Sequence, residues 1–421
     1  MIETMALNPS ETERKTNQRA RHPLHRLWRG PHLHKNHPEV EAKETWLELF
    51  YDLVYVAVLI QLGNVLSDNV SWHGAARFAL LFAPLWWAWS NFAFYMNRFV
   101  IDDVWHRLIV MSQIFCIAWL GSSLGGAFEG ESTQFVLLYI ALRVTIIILY
   151  LRTFSVSESR AMTTRYITDY HLVAIVLWSA SLGLGPEWRW TLWLGTLLWE
   201  MFNSQRPVFR RFHKQFPLNG EHMRERFGTL TLLVLGESFI KSITSEDSLQ
   251  LTWDAFLFSA PGIAVLFSLW WLYFEDTNAV YEDKQTANPA LWLYTHLPLS
   301  LALTAFGVAV TKLLESTYDQ YLSPNYAFMY CLSLIIYCLA LAVLNAWADR
   351  QTGNERALVR LGAAAVLGLA FWLGERSLDD NANALFFVSV AFGVFVLQVA
   401  HDLWLARRYP QIDDEVGELM P

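Results

Sequence analysis

The chain repeats apolar runs of bilayer length from near its start to near its end, and this constrains its fold more than any other feature. They lie at 47–66, 74–95, 106–126, 133–151, 169–185, 188–203, 227–243, 254–274, 291–312, 325–347, 357–374 and 382–405. A hydrocarbon core of about 30 Å takes roughly 20 apolar residues per helix, so each run reads as a membrane-crossing helix. The fifth and sixth are short and separated only by "GLGPEW"; merging them would reduce the number of spans. Composition agrees, because 54% hydrophobic and only 17% charged residues leave too little polar surface to coat a soluble globule. The expected fold is all-α, a polytopic membrane helix bundle of about twelve spans.

Loop charge tests that number. Lys and Arg concentrate in cytoplasmic loops. The first 45 residues hold eight, the connection after the fourth run has Arg152, Arg160 and Arg165, and "QRPVFRRFHKQFPLNGEHMRER" holds six. "SDNVS", "EGESTQ" and "SEDSLQ" are acidic or neutral and fall in the alternate loops. Twelve spans with both termini inside keep this alternation, and an odd number would break it.

Residues 1–45 form a basic tail with no apolar segment of a signal peptide, expected to lie near anionic headgroups. Its His22, His25, His32, His34 and His37 can bind metal, but no cysteine or carboxylate is spaced to complete a defined site. Cys116, Cys331 and Cys338 sit within apolar runs and read as small core residues.

An internal repeat is visible. "ELFYDLVYVAVL" in the first run aligns with "ERFGTLTLLVLG" in the seventh, placing Glu48 over Glu225, Phe50 over Phe227 and Leu53 over Leu230. "LWWAWSNF" in the second run aligns with "LWWLYFED" in the eighth. An offset of six spans implies two parallel halves. The expected division is a tail at 1–45, a half at 46–203, a connection at 204–226, a half at 227–407 and a tail at 408–421.

Several charged residues sit in or beside the runs. Glu48 and Asp52, four apart, share a helix face. Glu237 lies about ten residues into the seventh run, near the expected midplane, where a carboxylate costs about 2.5–3.5 kcal/mol and defaults to a functional reading. Gly236 before it allows close helix approach, while Lys241 one turn on can neutralise the acid. Arg143 in the fourth run needs an acidic partner, with Glu237 and Glu200 as candidates. Asp102 and Asp103, beside Arg107, and Glu275 and Asp276, behind an aromatic belt, read either as solvated ends or as an acidic cluster at the cytoplasmic face. His296 precedes Pro298, which frees a backbone carbonyl, and is a candidate proton relay.

The chain lacks the G-x-S-x-G, H-E-x-x-H, Walker A and strand-linked G-x-G-x-x-G signatures. It also lacks a long basic, aromatic-interleaved surface for nucleic acid. No cofactor is implied.

"WLELFYDLVYVAVLIQL", "RFVIDDVWHR", "ERFGTLTLLVLGESFI", "WWLYFED" and "YTHLPLSLALTAFG", in this order, resemble the low-temperature-requirement protein A family of bacterial multipass membrane proteins. The resemblance spans roughly residues 44 to 405, with Tyr51 and Tyr55 where phenylalanine is expected. It implies a fold group and motif residues but no substrate.

Three functions compete. The preferred one is a secondary transporter in a bacterial inner membrane, moving a small solute or ion coupled to protons or cations, with Glu48, Asp52, Glu237, Arg143 and His296 around its site. A membrane enzyme acting on a lipid-linked substrate would instead gather Glu48, Asp52, Asp102, Asp103, Glu275 and Asp276 around a divalent metal. A structural or sensory protein would use its acids only to pair Arg143 and Lys241. Transport wants acids around a midplane cavity; catalysis wants them clustered at one interface.

Overall fold

A computed structural model describes residues 30–33, 45–101, 103–128, 132–244, 253–282, 289–319, 323–347, 352–377 and 384–409. They form a bundle of long helices, labelled α1 (Trp46–Asp68), α2 (Trp72–Arg98), α3 (Val104–Ser122), α4 (Ser132–Arg152), α5 (Arg160–Tyr166), α6 (Leu172–Ala180), α7 (Pro186–Asn203) and α8 (Pro207–Gln215). After them come α9 (Gly220–Thr244), α10 (Trp253–Glu282), α11 (Pro289–Asp319), α12 (Pro324–Trp347), α13 (Gly353–Ser377) and α14 (Ala384–Arg408). A π turn at Ile167–His171 joins α5 to α6 in one rod. Counting it once and setting aside the short α8, the described residues contain one long rod for each apolar run. Seven of them are long and apolar enough by composition to cross a membrane: α1, α3, α4, α11, α12, α13 and α14. On α3, Trp105, Leu108, Met111, Phe115 and Trp119 form an exposed stripe at helical spacing, a surface that lipid covers and water would not.

The fifth rod starts at Arg160, nine residues before its apolar run. Its first turns bury Met162, Thr163 and Tyr166 and expose Arg160 and Arg165, so the helix is amphipathic there and a hydropathy window misses it. The connection after α7 is likewise partly helical. In α8 the positions Phe209, Phe212 and His213 share a face at i, i+3 and i+4, and Phe216 just past the helix end is also buried, whereas Arg210, Arg211 and Lys214 are exposed. Within the basic tail, His32 and Leu33 pair antiparallel with Val100 and Phe99 just after α2; the other tail histidines lie outside the described residues.

The first six long rods and the last six share a set of helix pairings, to which the last six add contacts of the sixth rod with the third and fourth and of the second with the third. In each, the first long rod packs on the second and third, the second on the fourth and sixth, the third on the fourth, the fourth on the fifth, and the fifth on the sixth. The halves meet where α1 and α2 pack against α9 and α11. Close approach within the second half falls at Gly307 rather than Gly236: a Cβ on Gly307 would lie 2.3 Å from the Ser238 hydroxyl, while Gly236 has nothing within 4 Å.

Helix starts are capped locally. Thr45 caps α1, accepting from the Glu48 amide at 3.3 Å and donating its hydroxyl to the Glu48 carboxylate at 2.9 Å. Ser71 caps α2 through Gly74, and Asp103 caps α3 through His106. Tyr51 and Tyr55 are both buried, and the Tyr55 hydroxyl donates to the carbonyl of Leu85, a contact phenylalanine cannot make.

Candidate functional site

The first turns of α1 and α9 place two acids of one half against two bases of the other. Arg226 donates to Asp52 Oδ1 at 2.8 Å and reaches within 3.7 Å of Glu48 Oε2. Trp89 on α2 donates its indole N–H to the same Asp52 oxygen at 2.8 Å. His222 Nε2 lies 3.1 Å from Glu48 Oε2. Asp52 and Arg226 have no solvent exposure, and Glu48 and His222 have 2% and 5%. An ion pair so dry holds together only with good geometry and added hydrogen bonds, which Trp89 and Thr45 provide.

The network also orients the histidine ring. Asn97 Oδ1 accepts from the Asn219 amide at 2.8 Å, so Asn97 Nδ2 faces the Asn219 carbonyl at 2.7 Å and His222 Nδ1 at 3.3 Å. An amide NH2 can only donate. His222 Nδ1 is therefore placed to accept from Asn97, which leaves Nε2 as the ring nitrogen directed at Glu48. Within this quartet two carboxylates share one guanidinium, and an imidazole faces one of them.

A second network closes the same end of the other half. Arg360 donates to Asp276 at 3.2 and 3.3 Å, to Asp402 at 2.5 Å and to Gln398 at 3.3 Å. Arg356 donates to Asp276 at 3.2 Å and to Glu275 at 3.1 Å. Between the networks stands an aromatic wall: Phe227 lies 4.8 Å from Trp89, 4.9 Å from Trp292 and 4.9 Å from His296, and His296 lies 5.9 Å from Tyr273. His296 is fully buried, its Nδ1 is bonded to the Trp292 carbonyl at 2.7 Å, and its Nε2 has no hydrogen-bond partner among the described residues.

The remaining candidates lie elsewhere. Arg143 pairs with Glu200, not Glu237, through both guanidinium nitrogens at 2.6 and 2.7 Å, and donates to the Tyr139 hydroxyl. Glu237 pairs with Lys241 on its own helix at 2.6 Å. Eleven residues separate it from Arg226, roughly 16 Å along α9, so it stands apart from the quartet. Asp103 caps α3 and pairs with Arg152; Asp102 lies outside the described residues. The acidic cluster expected from Asp103, Glu275 and Asp276 thus resolves into separate acid–arginine contacts. Among the described residues no group of three or more His, Cys, Asp or Glu is placed to hold a metal ion.

Sequence reasoning did not single out His222, Arg226, Trp89, Arg356, Arg360 or Asp402. Arg226 was counted as a loop charge because α9 begins at Gly220, before its apolar run starts at 227. The available signal was the i, i+4 spacing of His222 and Arg226, which matches that of Glu48 and Asp52.

Next to the quartet, Arg98 at the end of α2 holds the chain that links the halves. It donates to the Phe216 carbonyl at 3.5 Å and faces His213 Nδ1 at 2.9 Å. Burial first, and the Arg98 charge second, push the His213 pKa down to about 3. A histidine with a depressed folded pKa costs nothing above its unfolded value near 6.5; as pH falls below it the unfolded chain takes up the proton and the docked form does not. The docking of α8 should therefore weaken by roughly 1.4 kcal/mol per pH unit between 6.5 and 3, as an upper bound for a partly exposed group. Hydrogen exchange over 207–216 should quicken from pH 7 to pH 5, after correction for intrinsic rates. His213→Gln, which keeps an acceptor but does not titrate, should abolish that change; an unaltered pH dependence in the variant would refute the assignment.

Comparison with known proteins places these elements in a wider group. The family described as bacterial low temperature requirement A protein matches residues 43–399. An uncharacterized protein of Rhizobium meliloti (strain 1021) is 27% identical over 288 residues, covering 63% of this chain and 69% of the relative.

Proposed function

We propose that this chain, which belongs to the bacterial low temperature requirement A family of multipass membrane proteins, is a proton- or cation-coupled secondary transporter of a small solute or ion. The observation that carries this reading is the Glu48, Asp52, His222 and Arg226 quartet. It lies between the two halves, where alternating access needs contacts that can open and close. Its two carboxylates share one guanidinium, so exchange of a proton or a cation at one of them changes how tightly the halves hold. Glu48 is the better exchange site, being 3.7 Å from the guanidinium against 2.8 Å for Asp52. His296, with a free ring nitrogen behind Phe227, is a candidate for passing the proton inward.

All twelve long rods would cross the membrane in this reading, with both termini and α8 on the cytoplasmic side of a bacterial inner membrane. Reporter fusions at Ser204 and Pro421 should then report the same side, and opposite sides would end the twelve-span arrangement.

The functional test is flux in reconstituted vesicles, read with a pH-sensitive dye across a panel of solutes. Glu48→Gln should retain the folded protein, because glutamine is nearly isosteric and its amide oxygen can still accept from the Thr45 hydroxyl, yet reduce proton-coupled flux by roughly 100-fold, the scale of losing a proton-transfer group. Undiminished flux would remove Glu48 from the mechanism.

A second reading, that the charges only hold the bundle together, draws support from Arg143–Glu200 and Glu237–Lys241, each closed on itself. Absence of flux for every solute, with Glu48→Gln neutral, would favour it.

A further inference from the structure

The charged face of α8 has no part in the quartet. Arg206–Gln215 contains four Lys or Arg and no acid, and Arg206, Arg210, Arg211 and Lys214 are all exposed. The opposite face is anchored: Phe209 is fully buried, its ring 5.1 Å from Tyr166 and 6.3 Å from Tyr170. The helix therefore lies along the bundle with its basic side outward.

Two neighbouring elements carry an exposure pattern from which the position of that side relative to lipid is inferred. On α7, Leu194, Leu198 and Phe202 are 50%, 44% and 72% exposed at i, i+4 and i+8, a lipid-facing stripe that ends one turn before Arg206. On the fifth rod, Val176 and Leu172 are 64% and 44% exposed, and the stripe gives way toward the rod's start to the exposed Arg165 and Arg160. Arg165 is partly neutralised by Asp169 at 2.7 Å, which leaves α8 the richer in unneutralised charge. Apolar surface yielding to arginine on two adjacent elements marks the level at which hydrocarbon yields to headgroups.

We propose that α8 is a docking surface for anionic phospholipid headgroups of the leaflet it borders, with Arg210, Arg211 and Lys214 as the contacts. A guanidinium matches a phosphodiester with two parallel hydrogen bonds, and each basic residue near an anionic surface adds roughly a factor of five in affinity. Because α8 is tied to α2 through Arg98, bound lipid would steady the link between the halves.

The test uses the full chain in neutral detergent, titrated with phosphatidylglycerol or phosphatidylcholine while thermal unfolding is followed. Phosphatidylglycerol should raise the unfolding temperature and phosphatidylcholine should not. In Arg210→Gln/Arg211→Gln/Lys214→Gln the half-saturating phosphatidylglycerol concentration should rise about 100-fold, and Arg210→Lys/Arg211→Lys, which keeps the charge, should stay within a few-fold of wild type. Equal stabilisation by phosphatidylcholine, an unchanged response in the glutamine variant, or the same stabilisation by inorganic phosphate would each overturn the proposal. Hydrogen exchange over 207–216 in nanodiscs keeps the test open if detergent masks the site: protection should require phosphatidylglycerol and the three basic side chains.

Discussion

Replacing Arg360 by methionine is expected to destabilise the protein by about 3–5 kcal/mol, the penalty for breaking a buried ion network from one side. Arg360 is fully buried and, on α13 with Arg356, contacts Asp276 on α10 and makes the closest contact to Asp402 on α14. Methionine fills similar volume, so packing loss is small and the effect reports Asp402 left without its close donor and Asp276 left with Arg356 alone of the two. Arg356 touches both, at 3.2 and 3.9 Å, but cannot replace the close contact with Asp402. Thermal unfolding in mild detergent should fall by several degrees. Combining Arg360→Met with Asp276→Asn and Asp402→Asn should recover most of the loss, because removing a whole buried set is far less harmful than halving it. A shift of under a degree in the single variant would show that water reaches these acids.

The contrast with Arg165 shows why breaking that network is costly. Arg165–Asp169 is as short, at 2.7 Å, but its side chains are 56% and 24% exposed. An exposed i, i+4 pair contributes only about 0.3–0.5 kcal/mol. Burial, not distance, separates the two.

The fold was legible because the bilayer imposes a simple rule on sequence. Each apolar run became a long rod. Pairing across helices was less legible. Arg143 had two acidic candidates in sequence, and only the geometry selects Glu200. Glu237 drew attention by its depth, yet the nearest counter-charge was already present one turn away at Lys241. The basic partners of Glu48 and Asp52 were hidden for a different reason: "EHMRERF" reads as a charged loop, and a helix that continues past its apolar run toward water leaves no hydropathy signal. Polar helix ends are therefore where a membrane chain conceals contacts between distant segments.

Arg226→Gln is the second variant with a large expected effect, again about 3–5 kcal/mol, because Asp52 and Glu48 would then lose the guanidinium between them. Since Arg226 joins α9 to α1, the loss should appear as faster hydrogen exchange in the first turns of both helices, before global unfolding. Adding Asp52→Asn should restore much of the stability, leaving an amide pair that still accepts from the Trp89 indole. The double variant then separates the two functional readings. If the pair only holds the bundle, recovery of stability should bring back whatever flux the wild type shows. If the pair is a contact that opens and closes with proton or cation exchange, the double variant should be as stable as wild type within about 1 kcal/mol and still fail to couple flux to the gradient, because neither neutral side chain responds to a charge arriving at Glu48. Recovery of both stability and coupled flux would refute the gating role of Asp52 and Arg226.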